Sequence, residues 1–272
     1  LDNRIHNTGF FSTPLRSGIC IFIFIVLSAS LRGQAKVYKP GEKLTYTIQY
    51  GLLTSGVGSL DLVTDTIKGK EVWHARFSGR TTGLTDAIFK VIDIYEVYMD
   101  TLTELPVRSI RNIHEGRYKR YNVVDFDHKT RSDSTILYSD RTGRHIAPKN
   151  IHDIISCFYY FRNHTLPQGG KLKKGDVVEI LTWFTDQLYP IRLKFAGMED
   201  VKIEGGKIRC FKFNPVTEVG RLFKTEDDVT FWFSADKNFL PVKIRFDIFV
   251  GAFMVDLDHY EGLKYPLEIK KK

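Results

Sequence analysis

In Leu44-Thr45-Tyr46-Thr47-Ile48-Gln49-Tyr50 every second residue is large and apolar. The alternation returns along the chain. Trp73, Ala75 and Phe77 alternate with His74 and Arg76, Phe211 and Phe213 flank Lys212, and Val242, Ile244 and Phe246 alternate with Lys243 and Arg245. Strand side chains point to opposite faces in turn, so a period of two commits one face to a core and the other to water. Antiparallel sheets carry this pattern. Turn chemistry breaks the runs at Lys68-Gly69-Lys70, Glu115-Gly116, Gly205-Gly206 and Val250-Gly251.

The breaks echo one another. Pro40-Gly41-Glu42-Lys43-Leu44 opens one strand series and Lys174-Gly175-Asp176-Val177-Val178 opens a second. Thr66-Ile67-Lys68-Gly69-Lys70-Glu71-Val72 resembles Lys202-Ile203-Glu204-Gly205-Gly206-Lys207-Ile208, and Leu105-Pro106-Val107-Arg108 resembles Leu240-Pro241-Val242-Lys243. The offset stays at about 135 residues, the mark of an internal repeat. Two similar strand-rich halves are therefore expected, at about 36–138 and 172–265.

A bridge at about 139–171 separates them. Asn150 is expected to cap a helix, with Asp153 three residues on. Ile151, Ile154, Ile155, Phe158, Tyr159 and Arg162 follow helical spacing, and Leu166-Pro167-Gln168-Gly169-Gly170 ends it. A weaker helix is expected from Leu84 to Val91. The fold class is thus mainly β: a large, curved antiparallel sheet, as a partial barrel or sandwich, packed on one amphipathic bridging helix.

Ahead of residue 34 the chain reads as an address. Ile19-Cys20-Ile21-Phe22-Ile23-Phe24-Ile25-Val26-Leu27 follows Arg16 and precedes Ser28, Ala29 and Ser30. This run is short for a membrane span and suits the core of a signal peptide, with cleavage expected after Gly33. An uncleaved N-terminal anchor is the alternative. Three Arg and one Asp would leave with this segment, taking the formal charge from +8 to +6. Residues 34–272 then form a single exported β-rich domain with two cysteines, Cys157 and Cys210, either paired or buried as thiols.

Several features together resemble a known family. They are Pro40-Gly41-Glu42-Lys43-Leu44-Thr45-Tyr46 with Gly56-Val57-Gly58 beyond, and Tyr95 near Asp93 with Leu105-Pro106-Val107-Arg108. Asp153-Ile154-Ile155-Ser156-Cys157-Phe158-Tyr159-Tyr160-Phe161-Arg162 before Gly175-Asp176, and Phe239-Leu240-Pro241-Val242-Lys243-Ile244, complete the set. The mature chain is similar to the exported bacterial "domain of unknown function 3108" family. The resemblance implies a secreted or periplasmic β-rich domain related to the half-barrel of periplasmic lipoprotein carriers. It implies no activity. It places the protein in the periplasm or cell envelope of a Gram-negative-type bacterium.

The residues themselves carry no catalytic signature. Hydrophobic residues make up 43% and charged residues 26%, which excludes a largely disordered chain. Three cysteines exclude a disulfide-knit scaffold and a Cys-rich zinc fold. His-Glu-x-x-His, Cys-x-x-Cys and Gly-x-Ser-x-Gly are all missing. Gly56-Val57-Gly58 reads as room for a bend or a close approach. Asp125 with Asp127, Glu226 with Asp227 and Asp228, and Asp256 with Asp258 are carboxylate pairs of the kind a hydrolase uses, and equally of a solvated strand face. Arg117-Tyr118-Lys119-Arg120-Tyr121 interleaves cations and rings, but an exported protein rarely meets nucleic acid, so a charged strand edge or an anionic envelope patch is the better reading. Neither cofactor nor metal is expected.

The expectation is a non-catalytic binding or carrier module. A lipid-like or glycan envelope ligand would lie in a concave face lined by Phe158, Tyr159, Trp183, Phe184 and Trp232. The same rings are what a β-core needs. Peripheral envelope association is compatible with this. The alternatives are a protein-interaction module using an exposed sheet edge, and a carboxylate hydrolase.

Overall fold

The computed structural model describes residues 35–216, 228–247 and 251–271. The expected export segment, and Glu226 and Asp227, lie outside the described residues. The first meander comprises β1 (Lys43–Tyr50), β2 (Leu53–Ile67), β3 (Lys70–Thr81), β4 (Val91–Asp100), β5 (Pro106–Glu115) and β6 (Tyr118–Asp127). A hairpin of β7 (Ser134–Ser139) and β8 (Gly143–Pro148) follows. The second meander comprises β9 (Val177–Phe184), β10 (Gln187–Ile203), β11 (Gly206–Pro215), β12 (Val229–Ser234), β13 (Pro241–Asp247) and β14 (Ala252–Glu261). All fourteen strands join one antiparallel, nearly closed, barrel-shaped sheet in the order β8-β7-β6-β5-β4-β3-β2-β1-β14-β13-β12-β11-β10-β9. The hairpin occupies part of the stretch expected to be bridge, because Ile136 and Ile146 pair across it in strand register.

The expected repeat is written in the backbone. Left-handed φ recurs at Gly41 and Gly175 (94° and 99°), Gly69 and Gly205 (74° and 82°), Glu104 and Phe239 (63° and 50°), and Gly116 and Gly251 (60° and 83°). The openings are bracketed alike. Gly41 N donates to Leu62 O (2.7 Å) and Leu62 N to Glu42 O (2.9 Å), while Gly175 N donates to Phe195 O and Phe195 N to Asp176 O, both at 2.8 Å. Register slips between Tyr98 and Met99, opposite Pro106, and between Trp232 and Phe233, opposite Pro241. Proline has no N–H for the ladder, so each bulge sits where a hydrogen bond would be missing. Strands β1–β6 thus correspond to β9–β14. The sixth strand of the second repeat pairs with the first of the first repeat through β1·β14.

The other junction closes differently. Ile180 of β9 faces the interior cluster, while Leu181 and Trp183 on its opposite face pack against Val124, Phe126, Leu137, Ala147 and Ile151. The ends of the sheet overlap like a scroll. His152 runs along the β9 edge, its N–H donating to Leu181 O (3.0 Å) and its carbonyl accepting from Trp183 N (2.7 Å). A bare β9 edge would be a template for another chain, and this pairing covers it.

Helix α1 spans Gly83–Ile88 and stops before the expected Val91, because Val91 already belongs to β4 and donates its N–H to Thr81 Oγ1 (2.9 Å). Helix α2 spans Ile154–Tyr160 and continues as a π turn (Phe161–Thr165) and a 3-10 turn (Leu166–Lys171). Its cap is Asp153, not Asn150. Asp153 accepts from Ser156 N (2.8 Å) and Ile155 N (3.3 Å), and Ser156 Oγ accepts from Asp153 N (3.0 Å), closing a capping box. Asn150 instead adopts φ 58° in a turn, because residues 151–153 are taken up by the β9 edge.

Candidate functional site

Helix α2 descends into the barrel and plugs one end of it. Tyr159 packs with Leu44, Leu62, Val97, Met99 and Leu240, and Cys157 and Phe161 pack with Phe195, Phe211, Phe213 and Phe233. Gly169 lies so close to the Phe211 ring that a Cβ would approach it at 2.7 Å.

The plug ends in a buried polar lock. Arg162 donates to both oxygens of Glu42 (2.6 and 3.0 Å) and to Asn238 O (2.9 Å), with the rings of Tyr38 and Phe158 each 5.4 Å away. Burial opposes the charge on Arg162, but the Glu42 carboxylate outweighs it and holds the guanidinium above its ordinary pKa. Beside it, Asn163 Nδ2 donates to Glu104 (3.1 and 3.2 Å), His164 Nε2 lies 2.6 Å from Glu104, and the Tyr38 hydroxyl donates to the same carboxylate. Burial acts to raise the Glu104 pKa, and these hydrogen bonds with Lys36 nearby bring it below the usual carboxylate range. The carboxylates here are saturated by their partners, which marks a structural lock.

The opposite end of the interior is open. Inward-facing residues near the plug, such as Leu44, Leu62, Ala75, Val97 and Phe213, are buried. Further along the same strand faces, Tyr50, Phe77, Tyr95, Phe231, Phe246 and Phe253 remain partly exposed. Tyr50 and Phe253 are register partners with rings 5.0 Å apart, and Phe231 faces Ile244 beside Phe246 and Val229. Phe77 lies over Gly58 and Gly79, whose missing side chains leave it room. Ile154, Ile155 and Phe158 of α2 are partly exposed and form the floor. The result is an aromatic basin above a helical plug.

One polar corner interrupts it. Arg111 lies over the Phe184 ring (4.8 Å) and near that of Tyr95 (5.9 Å). With Asn122, Asp153, Trp183, Thr185 and Asp186 it lines a chamber of about 30 Å³. Larger open hollows lie on the outer face. One of about 850 Å³ is lined by Lys194, Lys212, Trp232 and Arg245, opposite to Phe213 and Phe231 on their strands, and one of about 530 Å³ by Ser59, Asp61, Arg76 and Ser78.

Of the five residues singled out from sequence, Phe158 and Phe184 reach the basin. Tyr159 is fully buried against Tyr38, rings 4.7 Å apart. Trp183 fills the scroll overlap, its ring 5.0 Å from that of His145. Trp232 sits on the outer face with Val201, Ile208, Cys210 and Val242, donating Nε1 to Glu199 (2.5 Å). Adjacent strand residues point apart, so Trp232 and Phe233 cannot share one face. Arg111 was missed, though it shares a strand face with the buried Ile113; a cation in step with the apolar face was the available signal.

Three of the paired carboxylates are otherwise engaged. Asp125 takes both donors of Arg108 (2.6 and 2.9 Å), Asp127 caps its own loop at Lys129 N and Thr130 N (both 2.9 Å), and Asp256 pairs with Lys243 (2.9 Å). Among the described residues there is no cluster suited to a metal ion. Cys157 and Cys210 are free, buried thiols in different clusters; burial pushes both upward in pKa, Cys210 to about 12.

Comparison with known proteins agrees with this architecture. No curated protein matches the chain. The crystal structure of a β-barrel-like protein, a domain of unknown function DUF1849 from Brucella abortus, is similar in fold. Its TM-score is 0.56 at 8% identity, over 84% of this chain and 100% of that one. The model for proteins of unknown function DUF3108 matches residues 45–258, spanning both meanders and the plug, and the chain belongs to that family.

Proposed function

We propose that this protein is a non-catalytic, exported binding or carrier module of a bacterial cell envelope, holding a lipid-like or glycan ligand in the aromatic basin. The observation that carries this reading is the divided interior. A barrel filled only for stability buries its inward residues along its whole length, whereas here Tyr50, Phe77, Tyr95, Phe231, Phe246 and Phe253 stay partly exposed above a closed plug. Concave, largely apolar surfaces with a few polar groups are where proteins take small ligands. Aromatic walls suit an acyl chain by area and a sugar face by stacking.

Native mass spectrometry of the protein released from the envelope tests this. A co-purifying mass in the lipid or oligosaccharide range that is lost from Phe77→Ser supports it. An unliganded mass from a verified envelope fraction, together with failure to take up an apolar fluorophore, refutes it.

A further inference from the structure

The polar corner of the basin holds buried donor atoms without partners. Arg111 Nε and Nη1 and Trp183 Nε1 are buried without a hydrogen-bond partner, against a single unpartnered acceptor, Asp186 Oδ1. All three residues line the same chamber. Buried polar groups without partners are rare.

Among the neighbouring carboxylates, Asp186 pairs with Arg120 (3.3 Å), Asp153 caps α2, and Asp93 accepts from His114 N (3.2 Å). Held over the Phe184 ring, the Arg111 guanidinium keeps a fixed plane. The chamber has space for a group the size of a water or one or two oxygen atoms, and it adjoins Tyr95 and Ile154 at the basin's edge.

We propose that Arg111, with Trp183 Nε1, anchors the oxyanion head of an amphipathic ligand whose apolar tail lies in the aromatic basin. This rests on the binding function proposed above and gives it a ligand class: a single-tailed molecule ending in a carboxylate or phosphate monoester. A free guanidinium N–H donates to an oxygen of either group, and charge-assisted hydrogen bonds of this kind are roughly twice as strong as neutral ones.

Titration of the full chain with hexadecanoate, hexadecyl phosphate and hexadecanol, followed by displacement of an apolar fluorophore, tests the assignment. An oxyanion-bearing probe is expected to bind ~10-fold or more tightly than the alcohol. Whichever of the two anions binds better names the head group. Arg111→Met is expected to abolish the preference, and Arg111→Lys to keep only part of it. Equal binding of all three probes by the native protein, or an undiminished preference in Arg111→Met, overturns the anchor and leaves the basin standing. Binding of none of the three overturns the anchor and the lipid-like reading of the basin together. Circular dichroism of each variant separates a lost preference from a lost fold.

Discussion

The two repeats trace the same backbone and grip the plug by different chemistry. At the opening of the first, Glu42 is buried and locks Arg162. At the same place in the second, Asp176 is exposed and only caps its own turn at Lys173 N (2.8 Å). In the β4–β5 connection the left-handed position holds Glu104, which gathers Tyr38, Asn163 and His164. The matching position between β12 and β13 holds Phe239, packed near Phe211 with ring centroids 6.3 Å apart. The first half adds buried carboxylates to its apolar grip, and the second relies on rings at the matching positions. A duplicated frame can thus keep its hydrogen-bond geometry while the side chains projecting into it diverge, because turns and registers are set by backbone conformation.

Exchanging these roles should produce the largest effects. Phe213→Ala, in the centre of the aromatic grip, is expected to cost about 3–5 kcal/mol in urea unfolding. Glu42→Ala should cost a similar amount, about 3–5 kcal/mol, because it strands a buried guanidinium, whereas Asp176→Ala should change stability by under about 1 kcal/mol. The double variant Glu42→Leu/Arg162→Met is expected to recover most of the loss, since an apolar pair of similar volume replaces a desolvated ion pair. If Asp176→Ala proves as damaging as Glu42→Ala, the asymmetry between the grips is wrong.

A pH effect should single out the overlapping junction. His152, at the β9 edge, is driven down to a pKa of about 4 by burial, with His128 adding to the shift. The unfolded chain takes up a proton near the ordinary value of 6.5, and the folded chain does not until about pH 4. The contribution is therefore fully present above 6.5 and is lost as pH falls toward 4, by on the order of 3 kcal/mol. Urea midpoints for the native protein and His152→Asn between pH 7 and 5 check this. The variant should flatten the part of the slope due to this group. An unchanged slope removes His152 as its cause.

The smallest effect probes the repeat itself. Gly69→Ala and Gly205→Ala meet no atom within 4 Å, so each measures only the left-handed backbone. Each should cost about 1 kcal/mol, and the two costs should agree within error. Markedly unequal costs would break the equivalence of the two turns.

Much of this frame was legible because it is local. Alternation at Leu44–Tyr50 and Val242–Phe246, and the Gly-bearing turns about 135 residues apart, depend on neighbours in sequence. Pairing across the chain does not, so the overlap of β9 with β6–β8 could not be read. That overlap moved the helix start from Asn150 to Asp153, since both are good caps and only the β9 edge decides between them. The basin was half legible for the same reason. Phe158 and Phe184 are aromatic residues in recognisable elements, but which face of β12 carries Trp232 depends on the bulge and register around it. Little in the sequence sets Arg111 apart from a solvated strand cation, because Ile110 and Ile113 lie on opposite faces and blur the parity of β5.

The pairing of β1 with β14 has a consequence for synthesis. The strand made first among those described finds its outer partner only when residues 252–261 have emerged, some two hundred residues later. Until then the edge of β1 is bare, and the nascent first meander is a sheet with two sticky borders. Contacts of such sequence separation slow folding. A chain built this way gains from being kept extended until complete, which post-translational passage across a membrane or a holding chaperone would provide.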